Sequence, residues 1–366
     1  MECDWELPIE FTELYKEETM NSIERVKLAL AHQEADHVPC CPVLSGVTRN
    51  LTHTPYPVWS TDADACAASF IAAADEVKPD CLVTLVDLSV ECDAWGAKIV
   101  YPENDAAHPD YSQCVVDDID EYDKIKKVDY RNSKRMQMQL EVCRKLVAAK
   151  GKEMPIIAFV FGPLGVLSML RSQQELYMDI YDDPDAVREA ASEINETLKE
   201  YAAAICDTGV DGIMFDTLMS SGSIMSKSMW DEVEGDLVES LAKVVHDKGK
   251  AVFIHNCGQM IYMDVQIQRM KPEGISFLYP ADDCKDFAET KAKYGDKTTL
   301  IGAVNPADAI LGTDAEWDAQ CKAQIDAMAA GGGFILATGC EYPSGASLYR
   351  AKRMMNIAKT YGAYNK

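Results

Sequence analysis

The chain has 366 residues, 48% of them apolar and 26% charged, with a formal net charge of -25. Such a surface repels nucleic acid and anionic membranes, and it disfavours a polyanionic substrate unless a local basic pocket receives it. No apolar run reaches the roughly 20 residues of a membrane span, and the start, MECDWELPIEF, lacks a basic stretch followed by an apolar one, so no secretory signal is read there. The 13 cysteines are odd in number and irregularly spaced. They are expected to be reduced thiols, mostly small core residues, in a reducing, cytoplasmic setting.

An N-terminal extension, 1–21, precedes the first candidate strand, 39-PCCPVL-44. A Pro-containing loop then leads into a helical pattern, 65-ACAASFIAAADEV-77, and the strand 82-LVTLVD-87 follows. Residues 99–135 read as a long insertion with a hairpin. Beyond them come 155-PIIAFVF-161, a long helix over 185–209, and 211-DGIMFD-216. In that helix Val187, Ala190, Ala191, Ile194, Leu198, Tyr201, Ala202 and Ile205 fall at three- and four-residue steps, one apolar stripe that Gly209 is placed to end. The plan repeats with a helix over 235–249, strands 250-KAVFIH-255, 274-GISFLY-279 and 299-TLIGAV-304, a helix over 315–332, and the strand 333-GFILAT-338. Gly331, Gly332 and Gly333 read as a tight turn between helix and strand, since they precede a strand and open no helix. Continuous apolar strands alternating with helices favour a parallel sheet buried on both faces. Eight of them predict a (β/α)8 TIM barrel, one domain over 1–366 with an N-terminal elaboration. A doubly wound open sheet is the alternative.

In a barrel, sites form at the C-terminal ends of the strands. His255 and Cys257 lie at the end of the fifth candidate strand, and Cys340 just after the eighth. One imidazole and two thiols, distant in sequence, are thereby expected around one mouth. Zinc takes such ligands tetrahedrally, and catalytic zinc keeps three protein ligands and an open position. No further compact cysteine pair of the zinc-finger kind is present, which favours an open site over a closed structural one. Two thiolates and a neutral imidazole leave Zn²⁺ formally neutral. A substrate thiol would lose its proton there yet stay electron-rich, which suits attack on a methyl carbon better than it suits hydrolysis. The bland reading stands beside this one: His255 as a satisfied core histidine and Cys340 as a loop thiol near glycine.

The chain resembles the uroporphyrinogen decarboxylase superfamily over about residues 22–362, and within it the methylcobamide:coenzyme M methyltransferase branch. The resemblance is carried by 23-IERVKLALAHQEADHVPCCP-42, 87-DLSVECDAWGAKI-99, 162-GPLGVLSML-170, 183-DPDAVREA-190, 206-CDTGVDGIMFDT-217, 255-HNCG-258, 301-IGAVNPADAILGT-313 and 333-GFILATGCEYP-343. Most of these motifs are superfamily-wide. The His-x-Cys and the distant Cys are specific to the zinc methyltransferases, where they hold the metal. The resemblance therefore implies Zn²⁺ on His255, Cys257 and Cys340. It also implies methyl exchange with cobalamin carried by a partner corrinoid protein, to or from a small thiol or methylated compound, O-demethylation included. It leaves the direction open, and a homodimer is allowed.

The alternatives are a metal-free decarboxylase, which needs a basic pocket, and a non-enzymatic subunit that binds a corrinoid or a partner protein. The early segment 43-VLSGVTRN-50 holds a single arginine, Arg49, poor provision for a substrate rich in carboxylates. Asp87 sits where the superfamily often places an acidic residue, and Asp87 and Glu91 are candidates to orient substrate or take a proton; Glu91 also reads as a solvent-facing charge. Glu341 departs from the branch, where a small residue is common. It is a candidate to occupy the exchangeable metal position or touch substrate, and equally reads as a loop charge. Asp216 is a candidate partner to the histidine. Tyr279 and the Asn305-Pro306 pair stand at the same face, and Met214, Met219, Met225 and Met229 read as core filling or a flexible apolar wall.

Overall fold

The computed structural model describes residues 20–364. The expected extension, 1–21, therefore lies almost wholly outside the described residues. Seven strands form one curled parallel sheet: β1 (Leu82–Thr84), β4 (Ile156–Phe161), β5 (Gly212–Asp216), β6 (Ala251–Asn256), β7 (Gly274–Phe277), β8 (Thr299–Val304) and β9 (Phe334–Thr338), adjacent in that order. Two short strands between them, β2 (Ile99–Val100) and β3 (His108–Pro109), pair antiparallel and make the hairpin expected in the insertion. Almost every residue of the seven strands is buried, because helices cover one face and side chains fill the other.

The expected first strand is corrected. Residues 39–44 make an isolated parallel bridge, Cys40 with Leu336 of β9, and no regular strand. Pro39 and Pro42 bracket the segment and supply no N–H to a ladder. The remaining polar groups are still satisfied. Cys41 N–H donates to Leu336 O at 2.8 Å, and Leu336 N–H donates to Pro39 O at 2.8 Å. On the other side Asp80 N–H donates to Cys40 O at 2.8 Å, while the Asp80 carboxylate accepts from Cys40 N–H at 2.8 Å. A side chain thus does part of the work of a strand. Asp80 is itself held by Arg25, whose guanidinium also pairs with Asp36.

The helices follow their sequence signals. The long one spans Pro184–Asp207, opened by Asp183, which caps Ala186 N–H, and by Pro184 at the first position. All eight residues of its predicted stripe are buried. Gly209 takes φ 98° two residues past its end. The tight turn before β9 holds: Gly331, Gly332 and Gly333 all have positive φ, and a Cβ on Gly332 would lie 2.4 Å from the Gln33 backbone. One helix is irregular. Between Lys227–Trp230 and Asp236–Asp247, residues Asp231–Gly235 form a π-helical turn that turns Glu234 inward. No helix among the described residues is long and apolar enough to cross a membrane, and twelve described cysteines are free thiols.

Candidate functional site

The site is built by strand register. Asp216 of β5 pairs with His255 of β6, and His255 pairs with Ser276 of β7. In a parallel sheet such partners point to the same face, so three polar side chains stand abreast. Ser276 Oγ lies 3.0 Å from His255 Nδ1. That contact fixes the ring and leaves Nε2 as the nitrogen free for another partner.

Cys257 sits one residue past β6 on a turn tied down by Asn256. The Asn256 amide donates to Thr217 O at 2.8 Å and Ser220 O at 3.1 Å, and its oxygen accepts from Gly258 N–H at 3.0 Å. Cys340 follows β9 through Gly339, whose N–H donates to Val304 O at 2.8 Å. A Cβ on Gly339 would come within 2.7 Å of the Leu278 backbone, so only glycine lets the β9 end lie this close to the β7 end. The result is one ligand atom each from His255, Cys257 and Cys340, all within 4.8 Å of one another. A tetrahedral zinc at about 2.0–2.3 Å from each ligand needs donor separations below about 4 Å, so this donor set and spacing fit the ion after small movements.

The three groups also polarise one another. Cys340 is pushed well below the ordinary thiol range, first by a hydrogen bond from Cys257, with burial opposing and His255 assisting. Cys257 is pushed up, first as the donor of that bond and then by burial. Burial alone would lower His255, but the bond to Cys340 and the charges of Cys340 and Asp216 hold it above its usual value. One thiolate is thus favoured before any ion binds.

The cluster opens into a cavity of about 270 Å³. Phe159 and Phe161, two residues apart on β4, share its wall, with ring centroids 5.5 Å apart at 70°. Phe159 also lies 5.7 Å from the His255 ring. Leu88 and Tyr111 stand half exposed on the cavity's rim. Two carboxylates complete it. Asp216 accepts from Leu218 N–H at 2.9 Å through Oδ1, and Oδ2 has no hydrogen-bond partner among the described residues. Burial pushes its pKa up to about 6, against the pull of His255. Glu341 is pushed up to about 7 by burial, with Ser45 opposing and the Cys340 charge assisting.

Asp87 and Glu91 lie outside this lining. Asp87 is buried in an ion pair with Arg135, and its other oxygen accepts from Ser89 N–H at 2.9 Å and Ser89 Oγ at 2.7 Å. Glu91 is sealed, 1% exposed, and among the described residues its Oε2 has no hydrogen-bond partner. Burial pushes its pKa up to about 8. Tyr279 is partly exposed off the cavity, and Asn305 caps a short 3-10 turn through Ala307 N–H. Of the four methionines, Met219 lines the cavity; Met214 and Met225 are buried off it, and Met229 packs against the core.

The sequence reading missed Ser276, Phe159, Phe161 and Glu234. The two phenylalanines alternate in 155-PIIAFVF-161, a visible signal that they share a face. Glu234 is buried behind the site, where Oε1 accepts from Leu164 N–H at 2.8 Å and Oε2 from the Trp230 indole at 2.7 Å. Burial, only partly offset by those two bonds, pushes it up to about 7.

The family model for uroporphyrinogen decarboxylase (URO-D) matches residues 21–361. The chain belongs to the URO-D family. Among solved structures, this URO-D chain is similar to a methyltransferase from Methanosarcina mazei at TM-score 0.75 and 19% identity, over 93% of this chain and 99% of that one. A B12-independent methionine synthase from Shewanella sp. W3-18-1 follows at TM-score 0.53 and 16% identity, over 88% of this chain and 96% of that one. A putative vitamin-B12 independent methionine synthase from Listeria monocytogenes stands at TM-score 0.52 and 11% identity, over 89% and 96%. At these identities the likeness is one of fold. Among curated proteins, no match is found.

Proposed function

We propose that this URO-D family chain is a zinc-dependent methyltransferase that moves a methyl group between a corrinoid on a partner protein and a small thiol or methylated compound. The observation that carries the reading is the convergence of His255, Cys257 and Cys340 within 4.8 Å on a cavity wall. The fold-level likeness to a Methanosarcina mazei methyltransferase agrees with it. We also read residues 39–44 as the eighth stave of a closed (β/α)8 barrel, and the free thiols as those of a cytoplasmic protein.

Zinc bound to these residues would supply a site where a substrate heteroatom keeps its lone pair available while losing its proton. The protein's own residues do the rest. Ser276 holds the imidazole so that Nε2 faces the cavity. The Asn256 bonds fix the turn that presents Cys257. The phenylalanine wall limits water beside the reacting atoms. Asp216, with Oδ2 unpartnered, is placed to take the substrate proton or hold a polar substrate group. Asp87, paired to Arg135, supports the wall and does not touch the cavity. A decarboxylase acting on a polycarboxylate fits poorly, because among the described residues no Lys or Arg lines the cavity.

The test is metal analysis of the purified protein beside its Cys257→Ser and Cys340→Ser variants, followed by methyl transfer with a corrinoid acceptor and a panel of thiols and methyl donors. One zinc per chain, lost in both variants together with transfer, is expected. A metal-free protein, or transfer that survives both substitutions, overturns the reading.

A further inference from the structure

The cavity next to the three ligands has a charge pattern that nothing so far assigns. Its acidic side chains outside the ligand set are two carboxylates, Asp216 and Glu341, and among the described residues no Lys or Arg lines it. Two nearby cations are committed to carboxylates elsewhere. Arg135 is paired with Asp87, and Arg171 with Asp179, both buried. Arg49 stacks on the Tyr56 ring at 4.1 Å, off the lining. Two thiolates and a divalent ion cancel, so the occupied centre adds no positive charge for an anion to meet.

The second observation is the wall. Phe159 and Phe161 line the same space with their ring planes 70° apart, and Tyr111 stands on the cavity's rim. Aromatic faces attract cations through their quadrupole. The third is Asp216 itself, 9% exposed, with Oδ2 unpartnered in a cavity it helps to line. An N–H⁺ donor would supply the bond that this oxygen lacks.

Resting on the methyl-transfer reading above, we infer that the cavity selects a small substrate that carries a positive charge close to its reacting heteroatom. The class is an aminothiol or its methylated counterpart, with an ammonium group seated between Asp216 and Glu341 and against the Phe159–Phe161 wall. Thiols with a sulfonate, phosphate or carboxylate tail are rejected. This departs from the anionic thiol that coenzyme M would bring. In the transfer to a thiol, the thiol proton leaves to solvent, the new bond joins sulfur to the methyl carbon, the bond from that carbon to the donor breaks, and the donor keeps the electron pair. The ammonium group stays intact and serves only for recognition.

Three thiols of matched length test this by titration calorimetry on the purified zinc protein: 2-aminoethanethiol, 2-mercaptoethanol and 2-mercaptoethanesulfonate. The expected order of affinity is ammonium, neutral, sulfonate, with at least about tenfold between first and last. In Asp216→Asn and Glu341→Gln the gap between ammonium and neutral thiol should shrink several-fold, with zinc content measured alongside. Sulfonate bound as tightly as ammonium overturns the assignment while leaving zinc methyl transfer standing. So does an ammonium preference unchanged in both variants. If none of the three thiols binds to zinc-loaded protein, the thiol reading falls, and this inference falls with it.

Discussion

Two clusters of buried and half-buried polar groups at the same end of the sheet behave oppositely. At the ends of β5, β6 and β9, Asp216, His255, Cys257 and Cys340 face a cavity and leave acceptors unspent. Beyond β1, Asp87 is saturated by Arg135 and Ser89, and Glu91 is sealed beside it. Both groups follow the C-terminal ends of strands of the same parallel sheet. What separates them is whether their bonding capacity is satisfied inside the protein. A saturated cluster contributes to stability and local order, whereas an unsaturated one facing a void is available to a ligand.

Four changes would break or sharpen that contrast. Cys340→Ser should have the largest effect: bound zinc falls to near zero and methyl transfer drops by more than the roughly 100-fold typical of a lost outer partner, read by metal analysis and turnover. Asp87→Ala leaves Arg135 buried without its counter-charge. It should cost about 3–5 kcal/mol of stability in urea unfolding while zinc stays bound. Turnover lost out of proportion to stability would instead place Asp87 in the chemistry.

Glu91→Gln should change the pH dependence of folding. The folded carboxyl holds its proton up to about pH 8, while the unfolded one releases it near the ordinary value of 4.5. Between those values the folded state binds more protons, so the stability from protonated Glu91 is full at acid pH and lost as pH rises. Relative to the wild type, the glutamine variant should therefore gain stability from pH 5 to pH 8, by up to a few kcal/mol. Paired unfolding curves at the two pH values check this. Ser276→Ala is the mildest change. Freeing Nδ1 of His255 should weaken zinc about 10–100-fold with folding intact, measured by chelator competition.

Much of this arrangement is legible in the sequence. His255 and Cys340 are found because a buried parallel strand announces its own end, and loops at that end share one rim. The long helix is found because its stripe and its Pro and Gly punctuation agree. Other features depend on facts that a linear reading lacks. The segment 39–44 looks like a strand by hydrophobicity, but Pro39 and Pro42 deny it a ladder, and the Asp80 carboxylate takes the place of a backbone acceptor. Asp87 reads as a site residue until Arg135, 48 positions away, is found beside it. Ser276 becomes visible only once the register between β6 and β7 is known.

The π-helical turn at Asp231–Gly235 has a consequence for how the chain tolerates length changes. Its wider ring accommodates one residue more than an α-turn would. Removing a single residue from the turn can close it to α geometry with the flanking helices still in phase, but it displaces Glu234 from the Leu164 N–H and the Trp230 indole that it bridges. A deletion scan across 227–240 should therefore find the flanking helical positions least tolerant, since a deletion there rotates one side by about 100°, and 231–235 the most tolerant for folding.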